Sequence, residues 1–444
     1  LRLAHTTATR ADVPTAWTKN PGLSAPTSLS PTIRLSGGFA VSAWSRSFAL
    51  YAPEPGVSDA AYDPLSDNTP PRLAYSVTLR GRVPRTPLTL SLGTTTGNEP
   101  ASSFDTDTGE PFLTSPLRYS GRSTRTRRRT FSLAVAWSFW GGRASLGVGG
   151  GLQDLRITHS RTLSVLPEGQ ARRPYEDTTW DLPAKVTLRD HWIPIASLGL
   201  FLSPLDALQV GAGLTFKRGA RLQGRLHASP PAGDPLMRFI GDDKAKARLP
   251  WEVVLTLGLA TQVDRLWLAV EVTHDFVDDA PSPPSIQAPR LEVQRSSMSA
   301  PIPWDGTGAM PLPLWTGSWT RLSLAAEVEA LRETLSLSLG FSSCRSHADA
   351  RRDLQLPTAP NTRWSHLVSA GVSLRLSPFQ VTLGYGFTFA QTYYPSRSAP
   401  GPSFASPSPE SDSPEQPRDP TLPATRKQTR GHTAALTLTY TLSL

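Results

Sequence analysis

Several ordinary components are scarce in this sequence, and each scarcity removes a class of protein. One residue in 444, Cys344, is a cysteine, so no disulfide can form within the chain and a disulfide-stapled scaffold is excluded. Charged residues make up 18%, against roughly 25% in ordinary soluble domains. Hydrophobic residues are nevertheless only 38%. No uninterrupted apolar run reaches the roughly 18 residues of a spanning helix, which excludes a helical membrane protein. A leader is missing too: the chain opens at Leu1 without a charged-then-apolar stretch, and its N-terminus reads as processed or shortened. The eight histidines show no metal-ligand spacing, and no Gly-x-Ser-x-Gly nucleophile turn is present, so no metal or cofactor is expected. The net charge of +9 is scattered and comes without any nucleic-acid-binding signature, so a solvated basic surface is expected rather than a nucleic-acid partner.

What is abundant is proline, 43 residues, and strict alternation. Phe379, Val381, Leu383, Tyr385, Phe387 and Phe389 alternate with Gln380, Thr382, Gly384, Gly386, Thr388 and Ala390. Leu436, Leu438, Tyr440, Leu442 and Leu444 alternate with threonines and a serine. Period two puts one set of side chains on each face of a strand. Here one face is large and apolar, and the other holds Gly, Ser, Thr and Ala rather than the Lys and Glu of a soluble sheet. The apolar face lacks charge over stretches of about ten residues, the length a tilted strand needs to cross a bilayer.

About fourteen such segments begin near Ile33, Arg72, Thr86, Arg128, Arg143, Trp192, Ala207, Leu249, Arg265, Ser318, Thr334, Trp364, Phe379 and Gly431. Tight connections such as Val263-Asp264 and Ser377-Pro378 alternate with long ones: 50–71, 97–127, 161–190, 229–248, 278–317, 345–363 and 393–430. Short turns on one rim and long loops on the other describe an all-β protein, a transmembrane antiparallel β-barrel with both termini on the short-turn side. The prolines then fall mostly in the long loops, where no ladder needs their missing N–H. Trp44, Trp137, Phe139, Trp140, Trp251, Trp267, Trp315, Trp319, Trp364, Tyr393 and Tyr394 lie near segment ends, as interfacial girdles would.

With the barrel in place, the chain resembles the outer-membrane long-chain fatty-acid transporters of FadL type, some of which carry hydrophobic aromatic compounds. Residues 11–23, with Asp12 and the run Asn20-Pro21-Gly22-Leu23, are similar to that family's N-terminal hatch, one alanine shorter between Pro21 and Gly22. Leu249-Pro250 leading a hairpin, and the stretch Trp319 to Phe389, carry the rest of the likeness, and Glu110-Pro111-Phe112 and Tyr119-Ser120-Gly121-Arg122 resemble the loop before the fourth strand. The resemblance implies residues 1–31 as a shortened hatch inside the lumen and 32–444 as the barrel. It also implies a monomer that takes up a hydrophobic small molecule passively, a fatty acid or an aromatic. Phe112 and Arg122 belong to its capture region, and release is lateral, beside an inward-kinked third strand. The third strand is Thr86 to Thr96. Gly93, Thr95 and Gly97 mark either the kink or simply the end of that strand.

Other features have two readings each. Arg122, Arg125, Arg127, Arg128 and Arg129 contact lipopolysaccharide phosphates or a ligand carboxylate, or form a solvated loop base. Gly147, Gly149, Gly150 and Gly151 give the hatch a smooth wall, or mark a bulge. Glu252, Glu271, Asp275, Glu327 and Glu329 are expected to bond Arg321, Lys217 or the hatch. Alternatives to a transporter are a general diffusion porin, or a barrel enzyme with His274 and Asp275 at a rim as the place for its catalytic groups.

Overall fold

A strand whose two faces meet different surroundings closes most simply on itself, because closure leaves no unpaired edge. The computed structural model describes residues 32–51, 65–98, 102–103, 123–164, 178–277, 286–288, 290–294, 301–303, 312, 318–346, 364–394, 397–398, 421–422 and 424–443. Fourteen strands form one closed antiparallel barrel: β1 Thr32–Tyr51, β2 Leu65–Arg82, β3 Leu88–Asn98, β4 Ser123–Phe139, β5 Ala144–Ser164, β6 Asp181–Leu205, β7 Leu208–Lys217, β8 Glu252–Val263, β9 Leu266–Val277, β10 Trp319–Leu331, β11 Leu335–Ser346, β12 Trp364–Leu376, β13 Phe379–Tyr394 and β14 Ala424–Ser443. Each strand pairs with its sequence neighbours, and β1 closes on β14 from Thr32↔Ser443 to Tyr51↔Ala424. The hatch expected at residues 1–31, with Asp12, Asn20, Pro21, Gly22 and Leu23, lies outside the described residues, as do Phe112 and Arg122.

Leu133, Leu339 and Leu383 are 53%, 65% and 57% exposed, and comparable leucines recur around the wall. A continuous apolar band of this kind has no place in water and is the lipid-facing belt of a membrane barrel. The opposite face carries hydroxyls that bond one another across strands: Ser36 to Thr439 at 3.0 Å, Ser373 to Thr382 at 3.0 Å and Ser323 to Ser342 at 3.2 Å. The short turns need left-handed backbone, which Asp264 (φ 51°) and Gly141 (φ 62°) supply. Gly149 and Gly151 sit inside an unbroken β4–β5 register. A Cβ on either would come within 2.5 Å of Ser197 Oγ or of the Phe131 carbonyl, so close strand approach demands them. The register break lies just beyond, between Gln153 and Leu155.

Several strands begin earlier than the alternation indicates. β2 starts at Leu65, β4 at Ser123, β6 at Asp181 and β14 at Ala424, each several residues beyond the lipid-facing belt. Arg125, Arg127, Arg128 and Arg129 therefore lie within β4, not in a loop. The upper part of β6 pairs with strand Arg221–Ala228, which pairs in turn with Lys244–Arg248. These continue β7 and β8 upward, and Pro250, which has no N–H to donate, sits where the second continuation breaks from β8.

The long connections 229–248 and 278–317 also contain structure that alternation did not reveal. Arg238–Gly241, Leu291–Gln294 and Ile302–Pro303 form a separate three-stranded sheet. It covers a hydrophobic core that includes Ile157, Leu182, Val186, Leu188, Leu226, Met237 and Val293, each 3% exposed or less. The upper wall and this cap together make a packed body on the long-loop side of the membrane.

Candidate functional site

Three features of the barrel stand out as a candidate site: the lumen wall, an interruption in the β2–β3 ladder, and the cap. Along the lumen, Ala260, Ala269, Ala325, Gly340 and Ser369 stand side by side across β8 to β12, a smooth row of small inward residues. Nearer the long-loop rim the lumen turns polar. Lys217 Nζ donates to Glu252 at 2.7 Å, and the Arg321 guanidinium lies 4.9 Å from the centre of the Trp319 ring. Glu271 accepts the Thr273 hydroxyl at 3.3 Å, while Glu329 instead accepts the Glu333 N–H at the exposed short turn. Of the five expected acidic residues, Glu252 thus pairs with Lys217 as anticipated, and Asp275 faces Trp319 across the ladder.

The interruption lies between β2 and β3. Their ladder runs from Arg82↔Thr89 to Ser76↔Thr95 and ends there, while β3 stays laddered to β4 up to Asn98↔Arg127. Residues 65–75 of β2 form no ladder with β3. At the last rung the Tyr75 N–H donates to Thr96 Oγ1 at 2.9 Å, and that hydroxyl reaches the Tyr75 carbonyl at 3.4 Å. A side chain thus stands where main chain would join the two strands. The interruption is level with Leu73 and Tyr75, 55% and 41% exposed on the lipid-facing side. Of the residues singled out from the sequence, Gly93 pairs with Thr78, Thr95 makes the last rung, and Gly97 lies just past it, paired only with Arg128.

In the upper wall, Thr124 Oγ1 lies 2.9 Å from His159 Nδ1, and His159 is fully buried. Burial first, then the nearby Arg161 guanidinium, push the His159 pKa down from 6.5 to about 3. Unfolded, this imidazole takes up a proton below about 6.5; folded, it does not until about 3. His159 therefore costs the upper wall no stability above pH 6.5 and an increasing amount as pH falls toward 3. Protease resistance of this region should decline between pH 6 and pH 4 in the wild type and change less in His159→Gln, measured by timed digestion at each pH.

The aromatic expectations divide. Trp137, Trp140, Trp251 and Trp364 are outward and exposed, as girdle residues are, and Trp192 at 66% joins them. Trp44, Trp267 and Trp319 instead face inward. Trp44 lies so close over Gly431 that a Cβ there would meet its ring at 2.6 Å, and Trp267 is 9% exposed. Strand parity decides this: each shares its face with buried inward residues such as Arg46, Glu271 or Ser323. Trp315 and the side chains of Tyr393 and Tyr394 lie outside the described residues. Parity also separates His274 from Asp275. The histidine bonds Thr320 at 2.8 Å and packs on Phe276 on the lipid side, whereas Asp275 is buried on the lumen side. They cannot act together.

No protein-family model and no curated protein sequence matches the chain. Solved structures do match, over nearly the whole length. A FadL homologue from Pseudomonas aeruginosa superposes with a TM-score of 0.65 at 15% identity, covering 98% of this chain and 96% of that one. This chain has the FadL-type fold. The toluene transporter TodX of Pseudomonas putida follows at 0.63 and 14% identity, with 99% of each chain covered. The toluene transporter TbuX of Ralstonia pickettii matches at 0.59 and 12%, covering 97% and 94%.

Proposed function

We propose that this protein is an outer-membrane channel of a Gram-negative bacterium for passive uptake of hydrophobic molecules, long-chain fatty acids or aromatic hydrocarbons. Cargo is captured at the cap, passes into the lumen and leaves sideways through the wall. The observation that carries this reading is the end of the β2–β3 ladder at Ser76↔Thr95, level with lipid-facing Leu73 and Tyr75. Lateral exit keeps apolar cargo out of the aqueous periplasm and preserves about 0.8 kcal/mol of transfer energy per CH₂. The toluene transporters among the similar structures favour a small aromatic as one cargo. His274 and Asp275 face opposite sides of the wall, which removes the rim pair that an enzyme reading would have used.

Detergent-purified protein should bind labelled oleate or toluene, and liposomes containing it should exclude small hydrophilic solutes. Passage of hydrophilic solutes without binding of either probe would replace this reading with a diffusion porin.

A further inference from the structure

Above the lipid belt, the outward face of β4, β5 and β6 changes from apolar to cationic. Phe131 pairs with Leu152 at the upper edge of the belt, both exposed to lipid. Four residues further along the same faces, Arg127 stands opposite Arg156, and Arg156 opposite Arg189. At about 3.3 Å per residue, and with strands tilted 35–45°, this row stands roughly 10 Å above the last apolar pair. All three guanidinium side chains are exposed. The reverse of the same strands is the sealed cap core, with Ile157 and Leu188 at 0% exposure, so any counter-charge must come from outside.

Like charges directly opposite one another destabilise a sheet. Asp154 relieves Arg189 through two bonds of 2.8 and 2.9 Å, but among the described residues neither Arg127 nor Arg156 has an ion-pair partner. Beyond Arg189 the row meets Gln223, and the nearest further guanidinium, Arg225, is two residues higher and lies 3.9 Å from Asp243. A structure that lines up unneutralised arginines on a flat outer wall fits a polyanion lying along that wall.

We propose that this face binds the phosphates of the lipopolysaccharide surrounding the barrel. The height is what favours a lipid source over free phosphate: acyl chains resting on Phe131, Leu133 and Leu152 bring the phosphorylated headgroup level with Arg127 and Arg156. Arginine engages such groups through paired N–H donors. This inference rests on the outer-membrane placement proposed above but not on the cargo, and its test does not involve uptake.

The test titrates detergent-purified protein with bisphosphorylated lipid A and with its dephosphorylated form, reading bound lipid by native mass spectrometry. Phosphorylated lipid A should bind about tenfold more tightly. The Arg127→Gln/Arg156→Gln double variant should lose that preference while keeping the heat-shifted gel mobility of a folded barrel. Equal binding of both lipids, or an unaltered preference in the folded double variant, would overturn the proposal. Complete displacement of lipid A by excess inorganic phosphate would overturn the assignment to lipid, and displacement by oleate would assign the row to carboxylate capture instead.

Discussion

Uptake of a hydrophobic probe is expected to stop when Ala74→Cys is joined to Gly97→Cys by a reducible bismaleimide linker in a Cys344→Ser background. Extending the observed β2–β3 register past Ser76↔Thr95 brings positions 74 and 97 opposite one another, so the linker bridges the interrupted wall. The positions are tolerant: a Cβ at Gly97 would meet nothing nearer than 4.0 Å. Reduction of the linker should restore uptake, and each single-cysteine variant treated alike should transport normally, which separates blockage from misfolding. Cargo diverted through water gives up about 0.8 kcal/mol per CH₂. The inhibition should therefore deepen by roughly fourfold for each added CH₂ across a fatty-acid series. Undiminished uptake with the linker in place would remove the lateral exit from the mechanism.

A second large effect is expected at the cap. Val293 is 0% exposed, in the centre of the three-stranded sheet, opposite Phe239 on one side and Ile302 on the other. An unpartnered carboxylate there costs several kcal/mol, about 3–5 by analogy with broken buried pairs. Val293→Asp should detach the cap from the wall, whose strands are held by their own ladders. Proteolysis should then cut between residues 238 and 303 while the barrel keeps its heat-shifted mobility. Uptake should fall several-fold at low probe concentration and much less at saturation, because capture is impaired and exit is not. A uniform loss at every concentration would instead place the cap after capture, and Val293→Ala, which adds no charge, should leave both measurements near wild type.

The membrane part of the molecule was legible in the sequence because lipid imposes a rule that can be counted. Every second residue from Phe379 to Phe389 must be apolar, and the number and order of the fourteen membrane-crossing segments follow from that requirement, though not the earlier starts of β2, β4, β6 and β14 above the belt. Above the bilayer the rule lapses. Lys244–Arg248 reads Lys-Ala-Lys-Ala-Arg, a strand whose buried face is only alanine, too weak a signal against its charges. The cap sheet pairs Arg238–Gly241 with Leu291–Gln294, about fifty residues apart and only four long, beyond the reach of local pattern. Tryptophans near strand ends were legible as rim residues but not as inward or outward ones, because proximity to an end carries no parity. Trp267, between outward Leu266 and Leu268, shows that counting faces would have placed it. The wall interruption left its trace only as Gly97 and the neighbouring threonines; that Thr96 substitutes a hydroxyl for a main-chain rung is set by β2, some twenty residues away.

The change of faces along β5 and β6 works as a depth gauge. On β5 the apolar residues lie outside up to Leu152 and inside from Leu155; on β6 they change sides between Leu188 and Trp192. A barrel displaced inward by two residues, about 7 Å along a strand, would carry Asp154 and Arg189 toward hydrocarbon. Displaced outward by the same amount, it would lift Trp192 and Leu152 into water. The protein's vertical position is thus fixed to within a single pair of residues, whatever the thickness of the membrane that receives it.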